Sequence, residues 1–204
     1  MGRVAFNTVL KDTHIFRLTD DTGMLQHTRF SVPDPVYGYT TDDNARALIM
    51  ALMLYERYGN SKHLNLVYKY SSFILNAQNN NGKFRNFLSY NRKWLDEEGS
   101  EDCFGRCIWA ICYALSGEHT PQGLKQGLMH ILNKAMPHAA SLKSPRAKAY
   151  TIIGLTRLED EHAGRLSYEL ARSLCSQYET CRDGEWKWRS EEHTSELQSH
   201  VNLV

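Results

Sequence analysis

From Asp42 to Glu179 the apolar residues recur at helical spacing in six runs, separated by short polar or proline- and glycine-containing breaks. Thr40-Thr41-Asp42-Asp43 supplies hydroxyl and carboxylate caps, after which Ala45, Leu48, Ile49, Leu52 and Met53 predict a first helix that Gly59 stops. A second is expected from Lys62 to Ala77, with Leu64, Val67, Tyr68, Phe73 and Ile74 on its apolar face. A long polar and aromatic loop, Asn79 to Gly99, opens on Asn-Asn-Asn-Gly turn chemistry. Ser100 then caps a third helix carrying Phe104, Cys107, Ile108, Ile111, Cys112 and Leu115. Pro121 opens a fourth that runs to Ala140. Ser144-Pro145, a cap followed by proline at the first helical position, opens a fifth, and a sixth spans Glu161 to Glu179. Residues 1–40 are mixed in pattern and read as an irregular lead-in.

The runs pair into three αα-hairpins starting near Asp42, Ser100 and Ser144. Repeated hairpins of this kind build either an open solenoid or a closed ring. The expectation is an all-α fold in which residues 41–188 form about half of an (α/α)6 toroid, truncated at its C-terminus. A tetratricopeptide-like solenoid is the alternative. Against it stand the unequal intervals between the hairpin starts and the long loop before Ser100, since long structured loops are more often functional than decorative.

Charge changes the picture by exclusion. With 24 Lys+Arg against 23 Asp+Glu, and no basic run interleaved with aromatics, neither nucleic acid nor an anionic membrane is an expected partner. The longest apolar run, Ala47 to Leu54, is far too short to span a bilayer. Of the five cysteines, Cys103 and Cys107 are one helical turn apart, but no further Cys or His pair completes a metal site. The thiols read as structural, and reduced buried cysteine suits a cytoplasmic protein. No metal and no cofactor is expected.

Candidate chemistry follows from the ring geometry. Inner helices of a toroid run parallel, so their N-termini open on one face. Asp42, Asp43, Glu101 and Asp102, the candidate catalytic carboxylates, would then surround one mouth together with Arg146. Packed helices lie about 8–10 Å apart, which suits the roughly 6.5–9.5 Å between the two carboxyl groups of an inverting glycosidase. The same acids also stand where the helix dipole favours them for stability alone. Arg46 and Arg106, one turn further in, could neutralise them. An all-helical diphosphate–magnesium reading also exists for aspartate-rich helix starts, but Asp42-Asp43-Asn44-Ala45-Arg46 places Arg where a third acid would stand. Aromatics flank the mouth, among them Tyr37, Tyr39, Phe84, Phe87, Tyr90, Trp94, Trp186 and Trp188. Such side chains stack on the apolar C–H faces of sugars.

Three runs carry a resemblance. Arg17-Leu-Thr-Asp-Asp-Thr-Gly-Met-Leu-Gln-His27 continues through Arg29-Phe-Ser-Val-Pro-Asp34 and Gly38-Tyr-Thr-Thr-Asp-Asp-Asn-Ala-Arg-Ala-Leu48. Ser100-Glu-Asp-Cys-Phe-Gly-Arg106 with Trp109-Ala110 is the second run, and Asp183-Gly-Glu-Trp-Lys-Trp188 the start of a third. Together they resemble a bacterial six-hairpin-glycosidase-like domain that occurs alone or joined to glycosyltransferases in polysaccharide gene clusters. The resemblance covers residues 10–188 and implies a carbohydrate substrate and a missing half-toroid. It leaves two activities open: a glycoside-hydrolase-like domain working through paired carboxylates, or a non-catalytic glycan-binding partner of a glycosyltransferase. No βαβ pattern or Gly-rich phosphate loop offers a nucleotide-sugar site. Candidate substrate contacts are His27, Arg29, Tyr39, Asn44, Arg46, Trp94, Arg106 and Arg146.

The tail differs in kind. Arg189 to Ser199 reads codon for codon as the translation of a sequencing-library adapter, and His200 is compatible with its continuation. Residues 189–204 are therefore expected to be non-native, the natural sequence stopping near Trp188 in mid-domain and the piece being inactive alone. A genuine solvated tail is the plainer alternative.

Overall fold

The computed structural model describes residues 10–181, in the order α1 (Thr13–Leu18), β1 (Leu25–Arg29), β2 (Val32–Thr40), α2 (Thr41–Tyr58), α3 (Ser61–Ala77), β3 (Phe87–Leu88), α4 (Glu101–Ser116), α5 (Gln122–Ala139), α6 (Pro145–Leu155) and α7 (Glu161–Cys181). The third sequence signature, Trp186, Trp188 and the 189–204 tail lie outside the described residues.

The six periodic runs are the helices α2 to α7, and side-chain caps fix the starts of α2, α4 and α6. Thr40 Oγ1 accepts from Asp43 N at 3.2 Å, Ser100 Oγ from Cys103 N at 3.2 Å, and Ser144 Oγ from Ala147 N at 3.3 Å. Each hydroxyl satisfies one of the amides that a helix start leaves without a partner. At the other end of α2, Gly59 adopts a left-handed φ of 62° and its amide closes on Tyr55 O, as a glycine stop should.

The all-α expectation is too narrow. The fold is α+β, mostly helical, because the lead-in is not irregular: it contains α1 and a hairpin, and the loop before α4 adds β3 to a three-stranded antiparallel sheet of order β1-β2-β3. Prolines hide this from a periodicity reading, since a proline demotes a strand pattern. Pro33 and Pro35 lie in β2 where only β1 pairs with it. The β3 pairing touches only Tyr39 and Thr40, next to α2.

Packing then arranges the hairpins. The helices α2, α4 and α6 stand side by side in a row, each backed by its own hairpin partner α3, α5 or α7. The row is parallel, because contacts advance together along neighbouring helices. Asp42 meets Arg106 near the starts of α2 and α4, and Glu56 meets Tyr113 at 3.4 Å further along both. Between α4 and α6, Gly105 lies against Ala147 and Gly154 against Trp109. A Cβ on Gly105 would stand 2.6 Å from Ala147 O, and one on Gly154 2.8 Å from Trp109 Cα. Only glycine permits helices this close. The core fills the space between the row and its backing helices with Leu48, Leu52, Val67, Ile74, Ile108, Ile111, Leu128, Ile131 and Leu155, all almost fully buried.

Candidate functional site

The parallel row brings its helix starts together, and the four candidate carboxylates there divide by what they touch. Glu101 Oε2 accepts from Lys143 N at 2.8 Å and Ser144 N at 2.5 Å, so it caps the segment entering α6. Asp102, itself buried, accepts from Ser144 Oγ at 2.8 Å and pairs with Arg146 Nε at 2.9 Å. Asp43 accepts from Thr40 Oγ1 at 2.6 Å and pairs with Arg46. These three acids hold helix starts in place.

Asp42 is different. Its Oδ2 pairs with Arg106 on the neighbouring helix, while its Oδ1 is enclosed, accepts no hydrogen bond and faces Arg46 Nε at 3.5 Å. An enclosed carboxylate oxygen without a hydrogen bond is costly, which marks the position as one where stability alone does not choose the residue. Burial by itself would lower the pKa of Arg106, but the hydrogen bonds to Asp42 and Tyr150 outweigh it and push the pKa up, so the guanidinium is a permanent cation here. Its Nη2 donates to Tyr150 Oη at 3.3 Å, and its carbon lies 5.0 Å from the Tyr150 ring centre.

From Arg106 a stripe continues along the side of the row that the backing helices leave uncovered. On α4, Arg106, Trp109 and Tyr113 recur at intervals of three and four residues, and they are half-buried in a helix whose other central positions are buried. On α6 and the turn just after it, Tyr150, Ile153 and Arg157 repeat the spacing. Trp109 and Tyr150 stack with ring centres 5.8 Å apart and planes 5° from parallel, and the Arg157 guanidinium stands 4.2 Å over the Tyr113 ring. Burial, then the nearby Glu56, raises the pKa of Tyr113, leaving its hydroxyl protonated and able to donate. A polar and aromatic surface thus crosses three helices, with Asp42 at its edge.

The remaining sequence-predicted contacts are scattered. Tyr39 is 1% exposed and donates to Asp20 Oδ2 at 2.5 Å; burial and then Asp20 push its phenol up to about 12. Asn44 is fully buried and clamps the lead-in, accepting from Met24 N at 2.8 Å and donating to Met24 O and Thr40 O. Both belong to packing and not to a surface that a substrate could touch. His27 and Arg29 are exposed on the β1–β2 arm, whose tip lies about 26 Å of strand from Thr40 at roughly 3.3 Å per residue. His27 packs edge-on against Tyr37 there. Arg46 is exposed beside Asp42 and Asp43, and Arg146 sits at the start of α6. Trp94 lies away from the row, against Phe73 and under Arg85.

Sequence reasoning missed Trp109, Tyr113, Tyr150 and Arg157 as candidate contacts. Their three-and-four spacing was legible, but in the sequence it merged with the apolar periodicity of α4 and α6. The cysteines take no part: Cys103, Cys107 and Cys112 are buried, and burial together with the Cys103 hydrogen bond raises the Cys107 thiol well above its usual range. Among the described residues no cluster of three or more His, Cys, Asp or Glu could hold a metal ion, and no helix is long and apolar enough to cross a membrane.

Comparison of the chain with protein-family models and with curated proteins finds no match to either.

Proposed function

We propose that this chain is part of a carbohydrate-active domain, glycoside-hydrolase-like, that binds an oligosaccharide or polysaccharide along the uncovered side of the α2–α4–α6 row. The observation that carries this reading is the stripe itself: Arg106, Trp109 and Tyr150 present stacked rings beside fixed hydrogen-bond donors, with Asp42 adjoining. Sugars need both an apolar platform and directed polar contacts. The parallel row supports a ring that further hairpins complete. The resemblance to six-hairpin domains in polysaccharide gene clusters points the same way.

In the hydrolytic form of the reading, Asp42 accepts a proton from an attacking water and Arg106 holds its carboxylate in place. A second carboxylate protonates the leaving oxygen. Asp43, Glu101 and Asp102 are the candidates for that acid on this chain. The engagement of these three in helix starts favours a second reading, a non-catalytic glycan-binding module that accompanies a glycosyltransferase.

One experiment separates them. The parent protein carrying the further hairpins is incubated with oligosaccharides, and released reducing ends and bound glycan are both measured. Hydrolysis that falls on the order of 10³-fold in Asp42→Asn supports the enzyme. Glycan retention without any turnover, weakened by Trp109→Ala, supports the binding module. Neither retention nor turnover sinks both.

A further inference from the structure

A cleft of about 350 Å³ opens on the outer flank, away from the α2–α4–α6 row and its stripe. Three segments form it: the last turns of α3 with Ser72, Phe73 and Asn76; the turn before β1 with Asp21; and the loop after β3 with Arg92 and Trp94. We propose that this cleft is a second carbohydrate subsite that takes a single neutral pyranose ring. The proposal rests on the carbohydrate reading above and adds a place and a ligand class to it.

The lining has the required division of labour. Phe73 and Trp94 give an apolar wall, their rings edge to face at 5.8 Å. The Arg85 guanidinium lies 4.6 Å from the Trp94 ring centre and fixes the orientation of that ring before any ligand arrives. Around this wall stand the Ser72 hydroxyl, the Asn76 amide, the Asp21 carboxylate and the Arg92 guanidinium, groups that donate to and accept from sugar hydroxyls. Asp21 and Arg92 offset each other in the lining, while Arg85 is engaged by Ala77 O, Asn76 O and the Trp94 ring and Lys69 by Asp20 O, which favours a neutral ring over a phosphate or a sugar acid. Pockets for small molecules occupy roughly 300–1,000 Å³, so this one suits one ring and not a chain.

The turn that carries Arg92 fixes its place on the rim. The φ of Arg92 is +62°, a left-handed conformation that glycine or asparagine adopts far more easily. The loop imposes it: Arg92 N donates to Ser89 O and Ser89 N to Lys93 O, each at 2.9 Å, closing a tight turn. The turn thereby holds the long, charged Arg92 side chain on the rim of the cleft. The sheet joins the two surfaces, since Leu88 pairs with Tyr39, whose ring packs at 6.0 Å from Phe73 and whose neighbour Thr40 caps α2.

The test uses the full chain and saturation-transfer NMR with methyl glucopyranoside, methyl galactopyranoside and N-acetylglucosamine, alongside glucuronate and inorganic phosphate. At least one neutral pyranose should receive saturation through its ring C–H groups. Arg92→Gly and Asn76→Ala should each weaken that binding about tenfold, the loss of one directed contact. The melting temperature of Arg92→Gly should hold or rise, because glycine relieves the strained turn; this separates lost contact from lost fold. Binding of glucuronate or phosphate in place of every neutral sugar would overturn the proposal, as would the absence of any binding. Neutral-sugar binding that survives both flank variants but disappears in Asp42→Asn would also overturn it, while leaving the reading of the open face intact.

Discussion

The starts of α2 and α4 share a local pattern and have different fates. In Thr40-Thr41-Asp42-Asp43-Asn44-Ala45-Arg46 and Ser100-Glu101-Asp102-Cys103-Phe104-Gly105-Arg106, a capping hydroxyl is followed two residues later by Asp and six residues later by Arg. Asp42 and Asp102 are therefore equivalent positions, as are Arg46 and Arg106. Their neighbours differ. Asp102 faces the start of α6 and is closed by Ser144 and Arg146. Asp42 faces the second turn of α4, where it finds Arg106 and keeps one oxygen without a hydrogen bond. On the other side, α2 is steadied by the lead-in, through Asn44 to Met24, and the lead-in is itself braced by Tyr39 to Asp20, whereas α4 leans on the next hairpin. The same capping pattern yields an acid tied to the next helix start in one helix and an acid held between two arginines in the other, because the adjacent element decides which partner arrives.

The largest expected effect falls on Asp102. Asp102→Ala removes a buried carboxylate from both Ser144 Oγ and Arg146 Nε, and breaking such a pair from one side costs about 3–5 kcal/mol. Chemical denaturation would measure it. A loss no greater than that of Asp42→Ala would break the comparison.

Alkaline pH should act next, and on the α2 side. Burial, then the Asp20 hydrogen bond, holds the Tyr39 phenol at about 12; burial holds Tyr70, which shares a 2.7 Å hydrogen bond with Thr19 Oγ1, at about 12 as well. The folded values lie above the unfolded value near 10, so above that pH the unfolded chain releases protons first. The stabilisation is complete below pH 10 and is lost as pH rises through 12, on the order of 2 kcal/mol for each tyrosine. Tyrosinate absorbance should rise together with amide exchange in the lead-in. Both phenols titrating near 10 with the fold intact would show that the lead-in does not buttress α2.

Gly105→Ala should cost about 1–3 kcal/mol by wedging α4 from α6, where a Cβ would meet Ala147 O at 2.6 Å. The same change at Gly123, where an added Cβ would meet nothing within 4 Å, should stabilise α5 by a few tenths up to about 1 kcal/mol. Equal melting shifts of the same sign would argue against a tight parallel row. A smaller loss is expected from Asp42→Ala, about 1–3 kcal/mol. It takes a charged partner from the half-buried Arg106, which keeps its Tyr150 contacts, while Arg46 still pairs with Asp43 and the removal of an oxygen without a hydrogen bond offsets part of the cost. A cost matching that of Asp102→Ala would make Asp42 a structural acid too.

Much of the helical part was legible because it is local. Thr40, Ser100 and Ser144 each reach an amide three residues on, a distance the chain itself fixes, and Gly59 stops α2 by its own backbone freedom. The lead-in was not, because the alternation in β2 is interrupted by Pro33 and Pro35, and its pairing with β1 and β3 is a relation between segments. The site was legible in part. Asp42, Arg46 and Arg106 do meet at the open row, whereas Tyr39 and Asn44 are drawn inside and Trp94 stands on the flank.

By itself the sequence determined where helices begin and end, since caps, proline and apolar period act within a few residues. Which partner each of the four similar carboxylates meets was decided only by tertiary structure. A carboxylate's role depends on the donors that reach it, and here those come from Arg106, Ser144 and Arg146 on other helices. No local pattern carries that information, because the close approach that creates it depends on Gly105 and Gly154 meeting backbone far away in the chain.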